Sequence, residues 1–214
     1  MTDHAHNLVT TEELDIIQEI MNIAFGKATA DLAELINIYV QLSVPDARVM
    51  ETSSLPGYIK EVIKDYTDIS TVQQKFWGEF KGSALLVFPA GAGKDLIGLL
   101  VGDEVHSFES DPIQELEKGT LMEVGNILIG ACVGKIAELL NDALTFSPPV
   151  VLTGNTAHEV LPQAVIDSYN YAIALKTSFS FEKRDVVGFL FIITSQESML
   201  WLKKALNDFL DQYE

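Results

Sequence analysis

The chain has 214 residues, 48% hydrophobic and 21% charged, which is enough for a well-buried core in one large or two small domains. Its 31 acidic residues against 14 basic ones leave a formal charge of −17, so a phosphate backbone would be repelled. Nucleic acid and anionic membrane surfaces are thereby disfavoured as partners, and a basic protein surface, or a site built around a lysine, is favoured.

The N-terminal Met1-Thr2-Asp3-His4-Ala5-His6 has neither a basic region nor an apolar one, and no apolar run reaches the roughly 20 residues that span a bilayer. The lone Cys132 cannot close an internal disulfide and lies in an apolar helical pattern, which marks it as a small core residue. A cytoplasmic protein is expected.

In chain order, Thr10-Thr11-Glu12-Glu13 supplies a hydroxyl cap before apolar residues at Ile16, Ile17, Ile20, Ala24, Ala28, Leu32 and Leu35, predicting an amphipathic helix to about Asn37. Tyr39 to Val44 reads as a short strand stopped by Pro45, with another strand near Ala47 to Met50 and a helical or irregular stretch around Tyr58 to Tyr66. Phe76 to Phe80 and Ser83 to Phe88 read as strands joined through Lys81-Gly82, and Pro89 to Gly93 turns the chain into a helix over Lys94 to Val101. The acidic stretch Asp103 to Glu117 reads as a junction. Beyond it come a helix from Pro112 or Glu115 to Asn141, strands near Leu144 to Phe146, Ala164 to Leu175, Ser178 to Phe181 and Val186 to Thr194, and a final helix over Ser198 to Leu206. Strand pairs flanked by long helices predict an α+β fold.

The two halves repeat. Sliding Ile16–Pro45 onto Thr120–Pro149 without a gap gives ten identities in thirty positions, among them Glu19/Glu123, Asn22/Asn126, Gly26/Gly130, Asn37/Asn141, Ser43/Ser147 and Pro45/Pro149. The same offset of 104 lays Ala84–Phe88 on Gly188–Ile192. We therefore expect a single domain, 1–214, built of two internal repeats, about 8–106 and 112–210.

On the first helix, Asp15, Glu19, Asn22 and Gly26 fall on one side, opposite Ile17, Ile20, Ala24, Ala28 and Leu35. The polar side continues through Gly26, Thr29, Ala30 and Ala33, small residues that leave room for another backbone. The second helix gives Glu123, Asn126, Gly130, Gly134 and Ala137 opposite Leu121, Val124, Leu128, Cys132 and Leu139. Asn is a poor interior helix residue, so its double occurrence asks for a task. A carboxamide can orient a water without adding negative charge beside an anion, which suits phosphoryl hydrolysis, where positioning carries most of the catalysis.

Other signals fail. Gly91-Ala92-Gly93-Lys94 lacks the upstream glycine and the following hydroxyl of a phosphate loop, having Phe88 and Asp95 at those positions. His4, His6, His106 and His158 share no metal-ligand spacing, so no metal site is expected. Trp77, Trp201 and most phenylalanines read as core.

Asp15-x-x-x-Glu19-x-x-Asn22 with Pro45 downstream, and Leu121-Met122-Glu123-Val124-Gly125-Asn126-Ile127-Leu128 with Pro149, resemble the paired signatures of the CheC/CheX/FliY family of CheY-P phosphatases. The resemblance covers nearly the whole chain. It implies a pseudo-twofold CheC-like fold with an antiparallel sheet and both motif helices exposed on one face, and it implies dephosphorylation of a phosphorylated CheY-like receiver domain. Glu19 and Glu123 would dock on the receiver's lysine, and Asn22 and Asn126 would orient the water attacking its aspartyl phosphate. Asp15, Gly26 and Gly130 would lie in the partner-binding surface, and Pro45 and Pro149 would be structural. No cofactor would be bound by this chain, Mg²⁺ being supplied by the receiver. Gly119 stands where the pattern has Asp or Ser, so the first copy alone is complete.

Two rival readings use the same surface without hydrolysis: a FliM-like switch module, and an adaptor for CheD, a receptor deamidase that proteins of the CheC type can also bind.

Overall fold

The structure is a computed structural model that describes residues 9–36, 40–62, 69–89, 111–154, 156, 159, 161–181 and 184–210. The expected helix over Lys94 to Val101, the turn leading into it beyond Pro89, most of the acidic junction, Tyr66 and all four histidines lie outside the described residues.

The elements run α1 (Thr11–Ile36), β1 (Val40–Glu51), a short 3₁₀ turn (Thr52–Ser54), α2 (Leu55–Val62), β2 (Ile69–Trp77), β3 (Gly82–Pro89), α3 (Asp111–Leu140), β4 (Thr145–Phe146), β5 (Val150–Gly154), α4 (Gln163–Ser168), β6 (Tyr171–Phe181), β7 (Arg184–Thr194) and α5 (Gln196–Leu210). All strand pairs are antiparallel, in the order β1-β6-β7-β3-β2-β4, with β5 also on β2. This is the mixed α and β architecture that the strand and helix patterns predict.

Both faces of the sheet are covered. Alternation along β3 sends Ala84, Leu86 and Phe88 to one face, where they join Ile17, Met21 and Phe25 of α1, Leu121, Leu128 and Cys132 of α3, and Leu202 and Leu206 of α5. Leu85 and Val87 go to the other face, with Leu55 and Ile59 of α2 and Val165 of α4. The central strands are thus apolar at consecutive positions, and the two motif helices pack against each other on the same side of the sheet.

The structure corrects several expectations. Pro45 does not end a strand: β1 continues through it to Glu51, and the register with β6 slips by one residue between Ser43 and Asp46. The strand expected at Ala47 to Met50 is its continuation. A matching slip separates β4 from β5: Phe146 pairs with Phe76, whereas Val150 pairs with Gln73. Pro149 lies inside that slip. Both prolines therefore occupy β-bulges in outer strands, where a missing N–H costs no ladder bond.

Ala164 to Leu175 is not one strand. Val165 is buried on α4, and β6 begins at Tyr171, because a short apolar run fits either period. β5 is a strand that the sequence pattern did not reveal, and β2 begins at Ile69, earlier than expected, and stops at Trp77. There, alternation turns Phe76 inward and leaves Trp77 48% exposed, not in the core. Trp201 is partly buried against the core.

One described helix, Glu115–Leu140, is long and apolar enough by composition to cross a membrane, contrary to the sequence reading; its apolar residues are accounted for by core packing, and 56% of its most apolar window is buried.

Candidate functional site

The N-terminus of α1 is fixed by reciprocal bonds. Glu13 N–H donates to Thr10 Oγ1 at 3.1 Å, and Thr10 N–H donates to Glu13 Oε2 at 2.6 Å. This is a capping box, and Lys203 of α5 lies 3.5 Å from the same carboxylate, tying α1 to its neighbour. From that start, the helical period buries Ile17, Ile20, Met21, Ala24, Phe25 and Ala28. Asp15, Glu19 and Gly26 are exposed, while Asn22 is half-buried, less open than its pattern predicts. Ile23, one residue beyond the amide, is 54% exposed, an apolar neighbour that the sequence reading did not single out. The side chains of Leu32 and Leu35 lie outside the description.

On α3, Leu121, Val124, Leu128, Ile129 and Cys132 are buried, while Gly119, Glu123 and Asn126 are exposed and Gly130 is half-buried. Ala137 belongs to the core rather than to the outward stripe, and Leu139 is half-buried. Burial pushes the Cys132 thiol far above its usual range. The helix ends at Asn141, whose φ of 52° is a left-handed cap that Asn tolerates; Asp142 N–H then reaches back to Ala137 O at 2.9 Å.

The glycines divide by function. A Cβ on Gly26, Gly119, Gly130 or Gly134 would meet nothing within 4 Å, so the outward stripes have open space beside them. Gly125, between Glu123 and Asn126, is different: a Cβ there would lie 2.5 Å from Val72 Cγ1 and 2.8 Å from Val72 Cβ. Only glycine lets α3 approach β2 this closely.

The same close approach brings Asn126 onto a buried polar relay. Period two along β2 puts Val72, Gln74 and Phe76 on the face carrying α3. Gln74, 2% exposed, donates from Nε2 to Ser147 O at 2.9 Å and to Asn126 Oδ1 at 3.1 Å. Ser147 O is available because the ladder bond it would take is made by its own side chain: Lys75 N–H donates to Ser147 Oγ at 3.0 Å, and Ser147 N–H donates to Lys75 O at 2.9 Å. The bulge containing Pro149 begins here. Gln74 Oε1 has no hydrogen-bond partner among the described residues, a cost of about 1–3 kcal/mol for a buried acceptor.

Farther along α3, Lys135 Nζ donates to Glu138 Oε1 at 2.8 Å, and the bond and charge of Lys135, with Lys27 of α1 adding, hold Glu138 below the usual carboxylate range. Among the described residues, no three His, Cys, Asp or Glu side chains gather to hold a metal ion.

Sequence comparison meets this geometry at its first motif: a model of the CheC-like family matches residues 12–48, which are α1 and most of β1. The CheY-P phosphatase CheC of Bacillus subtilis is 25% identical over 145 residues, 68% of each chain. The flagellar motor switch phosphatase FliY of the same organism is 25% identical over 140 residues, 65% of this chain but 35% of that longer relative.

Among solved structures, Thermotoga maritima FliY superposes with a TM-score of 0.71 at 20% identity, covering 94% of this chain and 98% of that one. The Helicobacter pylori FliM middle domain gives 0.56 at 16% identity, covering 92% and 99%. A chain of the CheX–CheY–BeF₃–Mg²⁺ complex from Borrelia burgdorferi gives 0.53 at 17% identity, covering 83% and 97%. The fold is thus shared with these proteins, and the resemblance to CheC, CheX and FliY read from the two motifs is borne out.

Proposed function

We propose that the protein is a phosphatase of a phosphorylated CheY-like receiver domain, with one site on α1 and one on α3. The observation that carries this reading is the pair Glu123 and Asn126, both exposed, three residues apart on one helix, with the amide held from below by Gln74. The same residue types recur at Glu19 and Asn22, Glu19 exposed and Asn22 half-buried. The names of the CheC and FliY relatives, and the presence of CheY in the CheX complex, support the choice of substrate.

Each element has a role in this account. Glu19 or Glu123 pairs with the receiver's lysine and sets the register of docking, an interaction of the charge-complementary kind that an acidic protein favours. The open stripes at Gly26 and Gly130 admit the receiver's backbone, with Asp15 at the edge of the first site. Asn22 or Asn126 then reaches the aspartyl phosphate and holds a water in line with the P–O bond. Mg²⁺ travels with the receiver and neutralises charge on the phosphoryl oxygens. The enzyme contributes no nucleophile of its own; its contribution is orientation, which can be worth several orders of magnitude in rate.

A non-catalytic switch module is the second reading, favoured by the fold shared with the FliM middle domain. The two separate on one experiment, the lifetime of phosphate on a Mg²⁺-loaded receiver with and without the protein. Faster loss supports the phosphatase; tight binding at unchanged lifetime supports the module.

A further inference from the structure

We propose that Gln74 is a positioning residue for the second site, fixing which way the Asn126 carboxamide faces; this rests on the phosphatase reading of Asn126. Ser147 O can only accept, so the Gln74 amide must turn its nitrogen toward it. That nitrogen has two hydrogens. One goes to Ser147 and the other to Asn126, which must therefore present its oxygen. Asn126 Nδ2, with both its hydrogens, is consequently turned away from the sheet, and the second lone pair of Oδ1 is left for another donor. A fixed backbone carbonyl thus sets the rotamer of an exposed side chain through one buried relay.

The relay also gives the motif serine and proline a purpose. The bulge at Ser147 to Pro149 replaces a ladder carbonyl by the Ser147 hydroxyl and frees that carbonyl for Gln74. The position 104 residues beyond Gln74 holds Ser178, so the repeat does not carry the glutamine over to its counterpart position.

The test uses the full chain. In an Asn22→Ala background, where only the second site can turn over, Gln74→Leu should lower kcat on a phosphorylated receiver about tenfold. It should leave KM and the affinity for a beryllofluoride-loaded receiver within about twofold. Added to Asn126→Ala, where only the first site can turn over, Gln74→Leu should cause no further loss. Equal loss in both backgrounds would mark Gln74 as merely structural and overturn the proposal. A second measurement does not depend on activity: ¹⁵N relaxation of the Asn126 side-chain amide should show an ordered group in the wild type and a mobile one in Gln74→Leu. An amide equally ordered in both would overturn the positioning role even if phosphatase activity were found, and the predicted loosening would support it even if no activity were found.

Discussion

Leu86 of β3 and Leu190 of β7 pair directly across the middle of the sheet, and they stand 104 residues apart, the offset of the sequence repeat. Around them the pairs are reciprocal: Leu85 with Phe191, and Val87 with Phe189. Shifted by the same offset, β1 falls on β4 and β5, β2 on β6 and β3 on β7, so the strand order reads alike from either edge. Even the bulges at Pro45 and Pro149 correspond. We propose that the chain is one domain of two repeats whose sheets join at β3 and β7.

Charge reversal at the docking carboxylates should weaken binding. Like charges placed together in an interface are strongly unfavourable, so Glu19→Lys combined with Glu123→Lys should raise Kd for a beryllofluoride-loaded receiver by about tenfold or more. Calorimetric titration reads this directly, and unchanged affinity would rule out a carboxylate-to-lysine contact.

Gly125→Ala should destabilise the fold. Val72 is β-branched and stiff at χ1, so it cannot swing away from the new methyl, and overpacking of this kind costs about 1–3 kcal/mol. Urea denaturation should show the loss and its partial recovery in Gly125→Ala/Val72→Ala. Equal stability of Gly125→Ala and wild type would mean that α3 does not need to sit this close to β2.

Cys132 should be silent toward thiol reagents until the chain unfolds. Its buried thiol is held protonated, its pKa raised above the unfolded value of about 8.5. The sign follows from linkage: the stabilisation from a neutral buried thiol is complete below that value and declines as pH rises above it. Relative to Cys132→Ala, the wild type should therefore lose stability between about pH 8 and pH 10.5. Denaturation curves at the two pH values check this, and a stability difference independent of pH would contradict it.

Much of this arrangement was legible in the residues. The capping hydroxyl at Thr10, the buried faces of α1 and α3, and the exposure of Glu19, Glu123 and Asn126 follow from the helical period, because each depends on neighbours within a turn or two. Gln74 was not legible. It lies 52 residues before Asn126, in a strand that the sequence pattern began too late, and one buried glutamine carries no local signature of its partner. The bulges escaped for a related reason: proline announces that a ladder bond is missing, but only the partner strand shows whether pairing stops or slips. Trp77 falls in a strand pattern that reads as core, whereas its place at the end of β2 leaves it exposed.

The most direct measurement of the central claim is the first-order loss of phosphate from a Mg²⁺-loaded receiver mixed with wild type, Asn22→Ala, Asn126→Ala or the double variant, with thermal melts confirming that each is folded. The wild type should accelerate decay, each single variant should retain the contribution of the other site, and the double variant should lose about 100-fold or more of the acceleration, returning close to the spontaneous rate. A folded double variant that hydrolyses the phosphate as fast as the wild type, or a wild type that leaves its lifetime unchanged, would contradict the account.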